Sequence, residues 1–141
     1  MILFLDSSAL VKRYVREIHS DAVLAACEAS QTLAVSRLAW VEAHAAFARR
    51  ERENSQDAPQ LQLARQQLKA DWAHFLLLEP IQSVLDLAAD YADTFALRAY
   101  DSVQLASAAT LQKAAAKPIT FACFDARLNK AAQFLGLVID N

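Results

Sequence analysis

The chain has 141 residues, 14 lysines and arginines against 16 aspartates and glutamates, and a formal net charge of −2. Its length fits a single domain over residues 1–141, because chains of roughly 100–200 residues bury one core. The near-neutral charge argues against a protein that coats nucleic acid regardless of sequence, and the presence of only one glycine excludes the glycine-rich phosphate loops of nucleotide-binding proteins.

The amino-terminal segment predicts alternating strands and helices. Residues 1–5 form a continuous apolar run that ends at Asp6, the pattern of a strand buried on both faces of a parallel sheet. Ser7 and Ser8 are candidate caps for a helix over 8–17. A second helix over 21–30 and a second strand over 32–36 follow. No segment has the roughly 18 apolar residues of a membrane span, and the first apolar run is too short for a signal sequence. We therefore expect a soluble, cytoplasmic protein.

The middle of the chain predicts a helical hairpin. Ser36 is expected to cap a long alanine-rich helix over 37–53, and Pro59 suits the first turn of the next helix. Apolar residues on that next helix recur every three or four positions and form one stripe: Leu61, Ala64, Leu68, Trp72 and Phe75.

The last third continues the alternation. Strands are predicted at 76–80, 119–124 and 137–140, and helices over 81–97, 99–116 and 126–135. Gly136 is the expected stop of the last helix. Strands separated by helices indicate parallel pairing through crossovers. We therefore predict an α/β fold, a three-layer α/β/α domain with a mostly parallel central sheet.

Four carboxylates are expected to converge in this fold. Asp6 and Asp125 follow strands directly, and the carboxyl ends of parallel strands share one edge of the sheet. Glu42 lies about six residues into its predicted helix, roughly 9 Å along it, and Asp101 lies in the first turn of another. Mutual repulsion would raise their pKa values unless a divalent cation neutralised them. Oxygen-only ligands suit Mg²⁺ or Mn²⁺, which can activate water for phosphodiester hydrolysis.

Each acid also has a simpler interpretation. Asp6 and Asp125 could only cap helices, and Asp101 could complement the positive end of its helix. Glu42 is flanked by apolar residues on its helix face, where a carboxylate without a partner would require a cation. A second acidic stripe on helix 81–97 is interpreted as solvated surface: Asp86, Asp90 and Asp93.

Four segments together resemble PIN domains, most closely those of the VapC type: LDSSALVK around Asp6, VEAHAAF around Glu42, LRAYDSVQLASA around Asp101 and FDARLNKAA around Asp125. The resemblance covers nearly the whole chain. It implies a Mg²⁺- or Mn²⁺-dependent endoribonuclease that is the toxin of a type II toxin–antitoxin pair. It also implies inhibition by a cognate VapB-like antitoxin and assembly as a homodimer.

The resemblance also implies roles for individual residues. The four acids would be the catalytic, metal-binding residues, and Ser7 would support the site by hydrogen bonding, although its hydroxyl could equally be only a helix cap. The chain departs from the family pattern at four places, one of which is Ser102, where Ala is common. Cys123 and Arg127 stand where many relatives carry a Thr or Ser and a further acid, which puts a tightly held second metal ion in doubt. Gln104 stands where a His is frequent.

Basic residues near helix ends are candidates for RNA contact: Lys12, Arg13 and Arg16 on the first helix, and Arg49, Arg50 and Arg52 on the hairpin. Charge runs on helices are more often solubilising than functional. Two other functions stay open. One is a non-catalytic PIN-like module that binds a protein partner. The other is a different Mg²⁺-dependent α/β phosphatase, although Ser8 occupies the place of the second Asp that the haloacid dehalogenase pattern needs.

Overall fold

The computed structural model describes residues 1–140, with side chains described for residues 1–137. The strands are β1 (Ile2–Leu5), β2 (Thr32–Ser36), β3 (Leu76–Leu78), β4 (Thr120–Ala122) and β5 (Val138–Asp140). The helices are α1 (Ser7–Tyr14), α2 (Ser20–Glu28), α3 (Ala39–Glu53), α4 (Ala58–Trp72), α5 (Gln82–Phe95), α6 (Ala99–Ala115) and α7 (Ala126–Phe134). Within this described part, no helix combines the length and the apolar character that a membrane crossing requires.

The described strands form one sheet in the order β3-β2-β1-β4-β5, and every neighbouring pair is parallel. β1 lies at the centre, with Ile2 opposite Thr32 of β2 and Leu3 opposite Thr120 of β4. The chain extends the sheet outward in both directions from β1, so the strand order reverses between β1 and β4. In open parallel sheets, ligands bind outside the carboxyl ends of the strands at such a reversal.

The two faces of the sheet are covered by different helices, because successive side chains along a strand point to opposite faces. Leu3 and Leu5 are fully buried in a cluster with residues of α1, α2, α3 and α4. Phe4 belongs to the opposite cluster with residues of α6 and α7, and its ring stacks on Phe121 of β4 at 5.7 Å between centroids. The sheet therefore lies between two helical layers, and the α/β/α prediction is confirmed.

The predicted helical hairpin is formed by α3 and α4, which a short 3₁₀ turn (Ser55–Asp57) connects. Pro59 lies in the first turn of α4, as predicted. Leu61 and Leu68 are buried in the core on the predicted stripe. Further along the same stripe, Trp72 meets Trp40 of α3 edge to face at 5.0 Å between ring centroids. This contact packs the start of α3 against the end of α4.

The start of α1 differs from the predicted one. The helix begins at Ser7, and its cap is Asp6 rather than Ser7 or Ser8. One oxygen of Asp6, Oδ1, accepts a hydrogen bond from the backbone N–H of Ala9 at 2.9 Å. The capping role that we weighed for Asp6 is therefore real, and it leaves the second carboxylate oxygen unused by the helix.

The start of α3 also differs. The helix begins at Ala39, and the hydroxyl of Ser36 accepts from the backbone N–H of Leu38 in the turn before it. Ser36 consequently fixes this turn instead of capping the helix. Glu42 lies in the first turn of α3 rather than six residues into a helix, which places it nearer the edge of the sheet.

The last helix ends as predicted. Gly136 follows α7 with a φ of 80°, the left-handed conformation in which glycine commonly ends a helix. The break expected near Arg98 lies between α5 and α6, where Ala96 adopts a positive φ of 54°. This break turns the start of α6, and with it Asp101, toward the carboxyl ends of β1 and β4.

Candidate active site

A groove of about 860 Å³ lies at the carboxyl ends of β1 and β4. It is bounded by α1, α3 and the start of α6. The structure brings all the acids that we singled out, and the neighbouring serine, to this one groove: Asp6, Ser7, Glu42, Asp101 and Asp125. The exposed stripe of α5 takes no part in it, since Asp86, Asp90 and Asp93 are solvated there, as expected.

Asp6 is the most buried of these acids, with 5% of its surface exposed. Its Oδ1 accepts from the backbone N–H of Ala9 and from the hydroxyl of Ser8 at 2.8 Å. Burial nevertheless raises the pKa of Asp6 to about 6, and the nearby charge of Asp101 adds to this. The hydrogen bonds to this carboxyl group do not offset its loss of hydration, so burial disfavours the ionised form of Asp6, and a bound cation would favour it.

Cys123 lies between two of the carboxylates. Its Sγ lies within hydrogen-bonding reach of the carboxyl group of Asp6. It also donates to the backbone carbonyl of Asp125 at 3.7 Å and accepts from the backbone N–H of Asp125 at 3.3 Å. Burial, followed by the charge of Asp6, raises the pKa of Cys123 far above its ordinary value. Cys123 is therefore a neutral thiol that contacts both Asp6 and Asp125. It lies where the resemblance described above implies a Thr or Ser hydroxyl.

Asp125 and Asp101 are more accessible. Asp125 is exposed and caps α7, where its Oδ1 accepts from the backbone N–H of Leu128 at 2.9 Å. Asp101 lies in the first turn of α6, and its Oδ2 accepts from Nε of Arg98 at 3.2 Å. The capping interpretation is again correct for Asp125, and it is compatible with a second role because only one oxygen is used.

Glu42 has partners that we did not expect. Its Oε1 accepts from the hydroxyl of Ser7 at 2.6 Å and from the amide of Gln104 at 3.0 Å, and the same amide donates to Ser7 Oγ at 2.8 Å. The expectation of a carboxylate without a partner is therefore wrong. The hydroxyl of Ser7 supports the acid and does not cap α1.

Gln104 is the residue of the site to which the sequence analysis gave no role. It is 2% exposed, and its Oε1 is buried without a hydrogen-bond partner among the described residues. The spacing of Gln104 from Asp101 could have identified it, because residues three positions apart lie on the same face of a helix. A buried amide at that position needs polar partners, and Ser7 and Glu42 supply them.

The six candidate RNA contacts divide into two groups. Lys12, Arg49, Arg50 and Arg52 line the groove. Arg13 and Arg16 do not belong to it: Arg13 pairs with Asp71 behind α1, and Arg16 forms an exposed ion pair with Asp21.

The donor chemistry of the groove fits a hard divalent cation. Among the described residues, six carboxylates and five cationic side chains line the groove, so its formal charge is −1 when all are ionised. No three acidic, histidine or cysteine side chains of this described part stand close enough to hold a metal ion by themselves. Mg²⁺ usually keeps several of its waters and takes only one or two protein carboxylates, so the arrangement suits an ion that is bound partly through water.

Comparison with known proteins identifies the family to which the fold belongs. A family model described as the PIN domain matches residues 3–133. No curated protein sequence matches the chain.

Solved structures share the fold at low sequence identity. FitAcB from Neisseria gonorrhoeae matches with a TM-score of 0.64 at 16% identity, over 100% of this chain and 97% of its own. VapBC2 from Rickettsia felis, bound to a DNA fragment from its promoter, matches with a TM-score of 0.66 at 13% identity, over 100% and 98%. A toxin–antitoxin complex from Klebsiella pneumoniae matches with a TM-score of 0.57 at 13% identity, over 84% and 83%.

Proposed function

Since this chain belongs to the PIN domain family, we propose that it is a Mg²⁺- or Mn²⁺-dependent endoribonuclease, the toxin of a VapBC-like toxin–antitoxin pair. The observation that carries the proposal is the meeting of Asp6, Glu42, Asp101 and Asp125 in one groove at the reversal point of the sheet. The buried, stressed carboxylate of Asp6 is the feature that a purely structural set of helix caps would not need.

In this proposal the four acids hold the ion, directly or through its bound waters, and the hydrogen bonds to these acids fix where it lies. Asp6 is fixed at the start of α1 by the N–H of Ala9. Ser7 and Gln104 hold one oxygen of Glu42, so that the other oxygen remains available to the groove. When bound, the ion supplies polarisation of the scissile phosphate and a water of lowered pKa.

The cations along the groove have a complementary task. Lys12, Arg49, Arg50 and Arg52 would contact phosphates of the RNA backbone, which positions the substrate without reading its bases. We propose that water attacks phosphorus and that the products carry 5′-phosphate and 3′-hydroxyl ends.

The likeness to toxin–antitoxin structures supports a protein partner as well. The Klebsiella pneumoniae structure is a toxin–antitoxin complex, and VapBC2 of Rickettsia felis was solved on promoter DNA. We propose that a cognate VapB-like antitoxin inhibits this chain, that the chain assembles as a homodimer, and that it acts on RNA in the cytoplasm.

Incubation of the purified protein with transfer, ribosomal and messenger RNAs tests the function. In Mn²⁺ we expect discrete cuts with the predicted ends, and in EDTA we expect intact RNA. Cutting that is equal in both solutions would contradict a metal-dependent mechanism. If the protein neither cuts any RNA nor takes up Mn²⁺, the non-catalytic protein-binding module becomes the better description.

Joint replacement of Arg49 and Arg52 by Gln is expected to weaken RNA binding severalfold. Both residues line the groove, and each phosphate contact that is lost should flatten the slope of log affinity against log salt by about 0.7 for single-stranded RNA. Fluorescence anisotropy at several salt concentrations measures both quantities. Arg16→Gln is the matched control, since this exposed cation pairs with Asp21 outside the groove. The control removes one positive charge and the test variant removes two. A loss in the control of half the size or more would therefore assign the weaker RNA binding to overall charge.

A further inference from the structure

We propose that Lys12 and Arg50 form a phosphate subsite for the RNA backbone and that Glu17 occupies this subsite as a built-in competitor. This inference rests on the proposed ribonuclease function and deepens it. The chemical class of the ligand is a phosphodiester, and the occupant in the free protein is a carboxylate of the same chain.

The contacts of Glu17 carry the proposal. Its Oε1 lies 3.0 Å from Nζ of Lys12, and its Oε2 lies 3.0 Å from a guanidinium nitrogen of Arg50. Each carboxylate oxygen thus takes one cation, one from α1 and one from α3. The side chains of Lys12, Glu17 and Arg50 are 12%, 21% and 35% exposed, so the cluster is partly withdrawn from water while it remains open to the groove.

This arrangement is the one that a phosphodiester would require. A phosphodiester, like a carboxylate, presents two charged oxygens, and cations that each bind one oxygen of Glu17 can each bind one non-bridging oxygen of a phosphate. Among the described residues, no other carboxylate bridges two cations of the groove. Arg49 and Arg52, which line the same groove, form no ion pair with any residue that the structure describes.

The subsite lies beside the candidate catalytic acids. The ammonium group of Lys12 sits 5.1 Å from the centre of the Phe124 ring, and Phe124 directly precedes Asp125. The ring of His19 also stacks on the Phe124 ring, at 4.8 Å between centroids. A phosphate held by Lys12 and Arg50 would therefore lie along the groove near the acidic edge, on the path of a bound RNA strand.

The backbone around Glu17 does not depend on its side chain. Ser20 is buried, and its hydroxyl accepts from the N–H of Glu17 and donates to the carbonyl of Val15. The turn between α1 and α2 is therefore held by Ser20. Replacing the carboxylate of Glu17 by an amide removes its negative charge and leaves this turn in place.

The test is Glu17→Gln, measured by fluorescence anisotropy with a short fluorescein-labelled single-stranded RNA in EDTA. Without metal the probe is not cut, so the result does not depend on catalysis. We expect Glu17→Gln to bind about tenfold more tightly than the natural chain at low salt. We also expect a steeper salt dependence, because two released cations can engage phosphate.

Glu53→Gln is the matched control. Glu53 lines the same groove, is exposed and has no ion pair in the described part, so its removal changes the groove charge equally without releasing Lys12 or Arg50. We expect it to change affinity less than about twofold. In a Lys12→Gln/Arg50→Gln background, Glu17→Gln should give no gain.

Each other result overturns the proposal. Equal gains in RNA affinity in Glu17→Gln and Glu53→Gln would show that overall charge causes the gain. A gain in affinity that persists when Lys12 and Arg50 are both replaced would show that Glu17 does not act through these two cations. Unchanged or weaker binding by Glu17→Gln would mean that Glu17 only supports the two cations. The natural chain still binds RNA in these cases, so the proposed function survives. Absence of RNA binding by every variant with a normal melting temperature overturns both.

Discussion

Replacing Asp6 by Asn is expected to lower RNA cleavage about a thousandfold or more and, at the same time, to stabilise the metal-free protein. The loss of activity follows because Asn carries no charge for a divalent cation at the centre of the site. The gain in stability follows from the burial of Asp6. Asn is as good a helix cap as Asp, so α1 should start normally in the variant.

The sign of the stability effect follows from the pKa of Asp6. Burial raises this pKa from 3.8 to about 6, so the folded protein holds the proton more tightly than the unfolded chain does. The free energy of unfolding therefore falls as pH rises from about 4 through 6, and the ionised carboxylate costs about 2–3 kcal/mol above that range. Lost contacts of the carboxylate offset part of this, so we expect Asp6→Asn to gain about 1–2 kcal/mol at pH 7.5.

Urea unfolding in EDTA at pH 7.5 and pH 4.5 measures the free energy of unfolding. An RNA cleavage assay in Mn²⁺ measures the loss of activity. The difference in stability between Asp6→Asn and the natural chain should shrink at pH 4.5, where Asp6 is largely protonated. Asp93→Asn, an exposed acid of α5, should change stability by less than about 0.5 kcal/mol and retain activity. Full cleavage by Asp6→Asn would refute its catalytic role. A loss of stability at pH 7.5 would refute the argument from burial.

Addition of Mn²⁺ to the metal-free protein is expected to raise its melting temperature by several degrees, and Asp101→Asn should lose most of this rise. The groove has a formal charge of −1 before a metal ion binds, and one divalent cation reverses this sign. At a concentration 100 times the dissociation constant, an ion that binds only the folded state adds about 2.7 kcal/mol. For a chain of this size, this corresponds to roughly 5–10 °C.

Differential scanning calorimetry with and without Mn²⁺ measures the rise in melting temperature. Glu42→Gln is a second variant in which this rise should be small. Asp93→Asn again serves as the control, because it removes an acid from the stripe of α5 and leaves the groove intact. If Asp101→Asn and Glu42→Gln keep the full rise while Asp93→Asn loses it, the ion binds at α5 and not in the groove. EDTA should return the natural chain to its metal-free melting temperature and end RNA cleavage.

Much of the fold was predictable because its signals are local. The apolar run at 1–5 and the apolar centre of segment 32–36 are short and followed by polar residues, which is the pattern of strands covered on both faces. The apolar stripe that contains Leu61 and Leu68 follows from the 3.6-residue period of an α-helix alone. Helix starts were less predictable, since Asp6, Ser7 and Ser8 are all competent caps and only the backbone geometry selects Asp6.

The sequence by itself determined the order of strands and helices, the two-faced burial of β1, and the placement of Asp6 directly after β1 and of Asp125 shortly after β4. The tertiary structure alone decided which side chains meet. Glu42 finds Ser7 and Gln104, which lie 35 and 62 positions away. Lys12 and Arg13 are neighbours in the chain, yet Lys12 pairs with Glu17 at the groove and Arg13 pairs with Asp71 of α4. Such pairings depend on the angle and register at which helices pack on the sheet, and no local pattern of residues carries that information.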